Sequence, residues 1–155
     1  MRRVLFLCTH NAVRSQMAEG ILRHHCGASY DVYSAGTSPQ GVHPMAVRVM
    51  DEIGIDISMH TSTHVEDVVG EHFDFVVTVC DAAASTCPSF AGAEVSIHRS
   101  FSDPSRSSGS EAETVAAFRK TRDEIAAWIE EMFCSISGGS DVQGADQSEE
   151  RNSRG

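Results

Sequence analysis

Val4-Leu5-Phe6-Leu7-Cys8-Thr9-His10-Asn11-Ala12-Val13-Arg14-Ser15 is the stretch that decides how this chain folds. Four consecutive apolar residues, Val4 to Leu7, read as a strand covered on both faces. Ser15 to His25 reads as helix, with Met17, Ala18, Ile21 and Leu22 along one side. Between strand and helix stand a cysteine, five residues, an arginine and a hydroxyl residue. A loop so placed collects backbone N–H groups at a helix N-terminus, where partial positive charge gathers. Arg14 adds a planar, two-pronged donor suited to a tetrahedral oxyanion. The same field favours Cys8 as a thiolate, the nucleophilic form. Cys8, Thr9, His10, Asn11, Ala12, Val13, Arg14 and Ser15 are therefore a candidate oxyanion-binding loop with a built-in nucleophile. A lone cysteine at a strand end is more often a small core residue. That reading leaves Arg14 and Ser15 as odd neighbours in an apolar core.

Outward from this stretch, strand and helix patterns alternate. Tyr30 to Ser34 reads as a second strand, and Ala35-Gly36-Thr37-Ser38-Pro39 as a turn. Pro44 suits a first helical position, with Ala46, Val47, Met50 and Ile53 facing inward and Gly54 as the stop. Phe73 to Val79 is the clearest central strand, and Glu94 to His98 a shorter one. The last helix is predicted from about Glu111 to Phe133, with Val115, Phe118, Arg122, Ile125, Trp128, Ile129 and Met132 at steps of three and four. This alternation predicts an α/β fold, a doubly wound three-layer sandwich with a central, mostly parallel sheet. Its active site should lie beyond the carboxyl ends of the strands. Residues 1–134 should form one domain. From Ser135 to Gly155 the chain is too polar to bury itself, and a disordered tail is expected.

The chain has 155 residues, 41% of them hydrophobic, five cysteines and a formal net charge of -10. Its mean hydropathy is -0.20. That charge argues against nucleic acid or an anionic membrane as partner. Met1-Arg2-Arg3 precedes too short an apolar run for a secretory leader, so a cytoplasmic location is expected, where thiols stay reduced. Five cysteines there point to reactive chemistry more than to a disulfide framework.

Two later segments follow predicted strands and should reach the same sheet edge as Cys8. Cys80 and Cys87, separated by six residues, lack the spacing of a zinc or CxxC site. They read either as structural thiols or as two thiols at the ends of a short segment beside Cys8. Asp103, in Phe101-Ser102-Asp103-Pro104, is either a turn starter or the acid that protonates a leaving oxygen. His24, His25 and Cys26 cannot all face one ion from a helix. Cys26 and Cys134 read as packing residues. His43 and His60 carry no spacing signal.

The segment Cys8 to Gly20, with Tyr33-Ser34-Ala35-Gly36, Gly54-Ile55-Asp56-Ile57-Ser58 and the Cys80–Cys87 segment, resembles the thioredoxin-coupled arsenate reductases, relatives of the low-molecular-weight protein tyrosine phosphatases. The likeness runs from Arg3 to about Met132. It implies that Cys8 attacks arsenate held by Arg14 and the loop amides, while Asp103 protonates the leaving oxygen. Ser15 would hydrogen-bond the Cys8 sulfur, and Asn11 would brace the loop. Cys80 would then attack Cys8 to release arsenite, and Cys87 would attack Cys80, leaving a disulfide that thioredoxin reduces. A monomer with arsenate as substrate and no tightly bound cofactor is implied. Some members bind potassium through residues matching Asn11, Glu19 and Ser34, but a further aspartate of that set is Thr63 here. His10 and Val13 also depart from the usual pattern. The phosphatases share Cys8, Arg14 and Asp103 but not the second cysteine pair, so phosphotyrosine hydrolysis is the alternative reading. A soft-metal sensor using Cys8, Cys80 and Cys87 is a third, disfavoured by Arg14.

Overall fold

The computed structural model describes residues 1–79 and 90–134. Four strands, β1 (Arg2–Cys8), β2 (Tyr30–Gly36), β3 (Phe73–Thr78) and β4 (Ala93–His98), form one sheet in the order β2-β1-β3-β4. Every strand pair in it is parallel. The chain leaves β1 on one side to make β2 and on the other to make β3. The resulting switch point opens at the carboxyl end of β1, where Cys8 stands.

The apolar run Val4 to Leu7 is wholly buried because both faces of β1 are covered. Val4 and Phe6 pack with Met17, Ile21 and Leu22 of α1 (Arg14–Cys26) and with Phe118, Ile125 and Ile129 of α3 (Glu111–Ile129). Ala46, Val49 and Met50 of α2 (Pro44–Asp51) join that cluster. Leu5 and Leu7 face the other way, against Phe73, Val76, Val65, Val68 and Phe90. Truncating Phe118 to alanine would cost about 3–5 kcal/mol and Ile125 about 2–5 kcal/mol, the usual ranges for such buried side chains.

Several boundaries differ from the sequence reading, each for a physical reason. Ala35 and Gly36, expected in a turn, continue β2, because Gly36 pairs with Cys8 and its N–H donates to Thr63 O at 2.9 Å. Ile53, expected inside, is exposed because α2 ends at Asp51 and Gly54 turns the chain away at φ +80°. The last helix starts on a capping box between Ser110 and Glu113. It ends in a π-helical turn, Glu130–Cys134. With more residues per turn, that segment brings Phe133 under the sheet and leaves Met132 exposed. Cys26 and Cys134, expected as packing thiols, form a disulfide with Cα atoms 6.0 Å apart. Among the described residues no helix is long and apolar enough to cross a membrane.

Candidate active site

The loop that joins β1 to α1 is shaped by where its carbonyls go. Thr9 O accepts from Ser38 N at 2.8 Å, His10 O from Gln40 N at 3.0 Å, and Ala12 O from His43 N at 3.0 Å. Asn11 O accepts from Gln16 Nε2 at 3.1 Å and Ser62 Oγ at 2.7 Å. Each trans peptide plane carries its N–H on the side opposite its carbonyl. With the carbonyls tied to surrounding residues, the loop's amides are turned away from those partners, the arrangement an anion-binding loop requires. Val13 precedes α1 without a side-chain cap, and the positive end of the helix dipole lies at the loop.

Asn11 holds the turn at φ +49°, a left-handed conformation that asparagine tolerates better than most residues. It is wholly buried, and both ends of its carboxamide are hydrogen-bonded. Nδ2 donates to Ser15 Oγ at 2.8 Å and Ser34 Oγ at 2.9 Å, while Oδ1 accepts from Thr63 N at 2.8 Å. Ser15 Oγ lies 2.9 Å from Cys8 Sγ. A Cys8 thiolate can only accept, so in that state the Ser15 hydroxyl donates to the sulfur while Asn11 donates to the hydroxyl oxygen. This is the arrangement that favours a thiolate.

Arg14 is buried, and its Nη1 donates to Phe101 O at 3.0 Å. Its Nη2 lies 3.6 Å from Asp103 Oδ2. The loop after β4 is thereby tied to the loop after β1. Burial pushes the Asp103 carboxyl up, but hydrogen bonds from the side chain and backbone of Ser105, with Arg14 and Arg106 nearby, outweigh it and hold the group below its ordinary value. Asp103 is a carboxylate at neutral pH in the free protein.

A cavity of about 60 Å³ lies between Cys8, Arg14 and Asp103. That is about four to six times the 10–15 Å³ a single water needs, room for one tetrahedral oxyanion. Its rim adds His10, Gln40, His43 and Ser105. His43 and Gln40 were missed in the sequence reading. They come from the segment after β2 whose backbone anchors the loop carbonyls. His43 Nδ1 accepts from Met45 N at 3.0 Å, capping α2, and its ring lies 5.0 Å from that of Phe118. Cys80 and Cys87 lie outside the described residues, as does the segment 135–155.

The residues matching a potassium site do meet, but they do not fit the ion. Glu19 Oε1 accepts from Ser34 Oγ at 2.5 Å, and its Oε2 accepts from Arg23 Nη2 at 2.6 Å. The same guanidinium nitrogen donates to Val32 O at 2.6 Å. His60 Nε2 lies 3.3 Å from Arg23 Nη1, and His60 Nδ1 3.0 Å from Gln16 Oε1. Burial, with Arg23 alongside, lowers the His60 imidazole below its ordinary value although Glu19 and Asp56 oppose this, so His60 accepts from Arg23. The positive charge beside Glu19 is a side chain of the protein itself.

Fold and loop together define a class: doubly wound α/β proteins that carry a cysteine-centred anion loop on their first strand. The low molecular weight phosphotyrosine protein phosphatase family matches residues 3–141, and the chain belongs to it. It is 45% identical over 126 residues to an arsenate reductase of Halalkalibacterium halodurans, covering 81% of this chain and 91% of that protein. A solved arsenate reductase in its phosphate-binding state superposes with a TM-score of 0.75 at 30% identity, covering 88% of this chain and 99% of that one. A thioredoxin-dependent arsenate reductase of Corynebacterium glutamicum gives 0.66 at 28% identity, over 90% of this chain and 63% of that one.

Proposed function

We propose that the chain is an arsenate reductase that cycles through a Cys8, Cys80 and Cys87 relay regenerated by thioredoxin in the cytoplasm. The observation that carries the reading is the cavity fit for one oxyanion, with the Cys8 sulfur hydrogen-bonded to Ser15 on one side and Arg14 paired to Asp103 on the other. The likeness to arsenate reductases supports the same reaction. The likeness to a thioredoxin-dependent enzyme supports the carrier.

Arsenate enters between Arg14 and the loop amides, and the Cys8 thiolate attacks arsenic. An As–O bond breaks, and the oxygen leaves as water with a proton from Asp103. The bound oxyanion takes over the charge of Arg14, and its own negative charge raises the Asp103 carboxyl. Asp103, a carboxylate beforehand, thus receives a proton as substrate arrives. The Cys80 thiolate then attacks the Cys8 sulfur. The S–As bond breaks with its electron pair passing to arsenic, giving arsenite and a Cys8–Cys80 disulfide. Cys87 attacks Cys80, frees the Cys8 thiolate and leaves Cys80–Cys87 for thioredoxin to reduce.

The deciding assay is arsenate-dependent NADPH oxidation with thioredoxin and its reductase. Cys87→Ser should release arsenite once and stall as Cys8–Cys80, visible by peptide mapping. Cys80→Ser should stop at the Cys8 adduct. If both variants cycle at the parent rate, the relay is wrong. Phosphotyrosine hydrolysis, which needs only Cys8, Arg14 and Asp103 and accords with the family's name, then replaces it.

A further inference from the structure

We propose that Cys26 and Cys134 are a second redox site, a clasp remote from Cys8 that a dithiol carrier opens and closes. Cys26 ends α1, the helix that begins at Arg14, so the pair lies about 18 Å of helix away from the oxyanion loop. Cys134 ends the π-helical turn that follows α3. The disulfide joins residues 108 apart in sequence and ties the last described turn onto the first helix.

The clasp sits beside an aromatic stack. The Phe133 ring lies edge-on to Phe6, Tyr30, Phe75 and Trp128, at centroid distances of 6.4, 5.5, 5.6 and 6.0 Å. Tyr30 Oη donates to Phe133 O at 3.2 Å. Trp128 in turn lies 6.1 Å from Phe101, whose carbonyl accepts from Arg14. The π register is what brings Phe133 and Cys134 inward together. Cutting the sulfur bridge removes the covalent tie that holds this register, and Trp128 is the first side chain to register the change.

Cys26 is buried and Cys134 is partly exposed, so attack falls on the Cys134 sulfur. A carrier thiolate bonds to Cys134 Sγ, and Cys26 leaves as a thiolate that takes a proton. The carrier's second thiol then displaces Cys134 from the mixed disulfide. Two electrons and two protons pass to the pair, and the carrier becomes a disulfide. Oxidised glutathione reverses the change through the corresponding mixed disulfide.

The full chain with Cys8, Cys80 and Cys87 all changed to serine isolates the pair, because the sequence has five cysteines and one tryptophan, Trp128. It also separates this proposal from the catalytic reading, since no relay thiol remains. After oxidised glutathione, no thiol should react with a thiol reagent. A dithiol reductant should restore both, shift Trp128 emission, and lower the thermal midpoint on the order of ten degrees. Adding Cys134→Ser should reproduce the reduced emission and abolish its response to reductant. Two titratable thiols after oxidation would overturn the proposal. So would a bridge that opens and closes with unchanged emission and midpoint.

Discussion

Arg14 Nη2 stands 3.6 Å from Asp103 Oδ2, and both side chains are almost wholly buried. This pair holds Asp103, the proposed acid, at the cavity that Cys8 also lines. Burial pushes the carboxyl up, but the Ser105 hydrogen bonds, with Arg14 and Arg106 adding to them, outweigh it and keep the group ionised. Asp103→Asn removes a proton donor and a negative charge together. We expect kcat to fall roughly 10²–10⁴-fold, the usual span for a lost general acid. Inorganic phosphate should bind at least as tightly as before, because the repelling carboxylate is gone. Calorimetric titration beside steady-state kinetics checks both; a fall in phosphate affinity would make Asp103 a structural residue.

Arg14→Lys keeps the charge and loses the fork. Lysine cannot serve Phe101 O, Asp103 and two oxyanion oxygens from one planar group. Loss of even one charged hydrogen bond, about 1.5–3 kcal/mol, lowers kcat/KM by about one to two orders of magnitude. Catalysis at the parent level would reduce Arg14 to a distant charge.

Arg23 already supplies the positive charge beside Glu19. Exchanging potassium for sodium at constant ionic strength should therefore leave kcat/KM unchanged. Arg23→Ala strips Glu19, Val32 O and His60 of their common partner. Through Ser34 and Asn11 this loosens the loop, and kcat/KM should drop about tenfold, as when an outer support of a site is lost. A potassium-dependent parent enzyme would contradict the assignment.

Acid should destabilise the packing of α2 on α3 in a defined window. Hydrogen bonds from Arg119 above all, with Arg122 adding to them, hold the Glu52 carboxyl at about 2 although desolvation opposes them. Its folded value lies below the ordinary 4.5. The stabilisation is therefore complete above that value and is lost as pH falls toward 2. Thermal midpoints over this range should fall more steeply for the parent than for Glu52→Gln, which has no such carboxyl to protonate.

The strand, loop and helix from Val4 to Ser15 were legible because their signals are local: an apolar run, fixed spacing and a helix stripe. Parallel topology followed from alternation alone. What was hidden depends on contacts distant in sequence. Gly36 looks like a turn residue until Cys8 is known to pair with it. His43 and Gln40 reach the cavity through backbone bonds to the loop, which leave no trace in spacing. Cys26 and Cys134 are separated by most of the chain, and the π turn that joins them shifts the helical phase that placed Met132 inside.

The pairing of Gly36 with Cys8 is open to a direct test. A Cβ built there would stand 2.6 Å from Thr9 O, 2.8 Å from Cys8 O and 2.9 Å from Asn11 N. All three are backbone atoms of the oxyanion loop, so none can swing aside as a side chain would. Gly36→Ala must push the loop away from β2, disturbing the Asn11 turn and the loop's backbone amides. Overpacking of this kind costs about 1–3 kcal/mol of stability. A loop misplaced by about 1 Å also costs up to about 10²-fold in rate. The expected result is a folded protein with a modestly lower thermal midpoint, much weaker phosphate binding and a large loss of kcat/KM. Unchanged phosphate affinity in Gly36→Ala would show that the loop does not depend on this close approach.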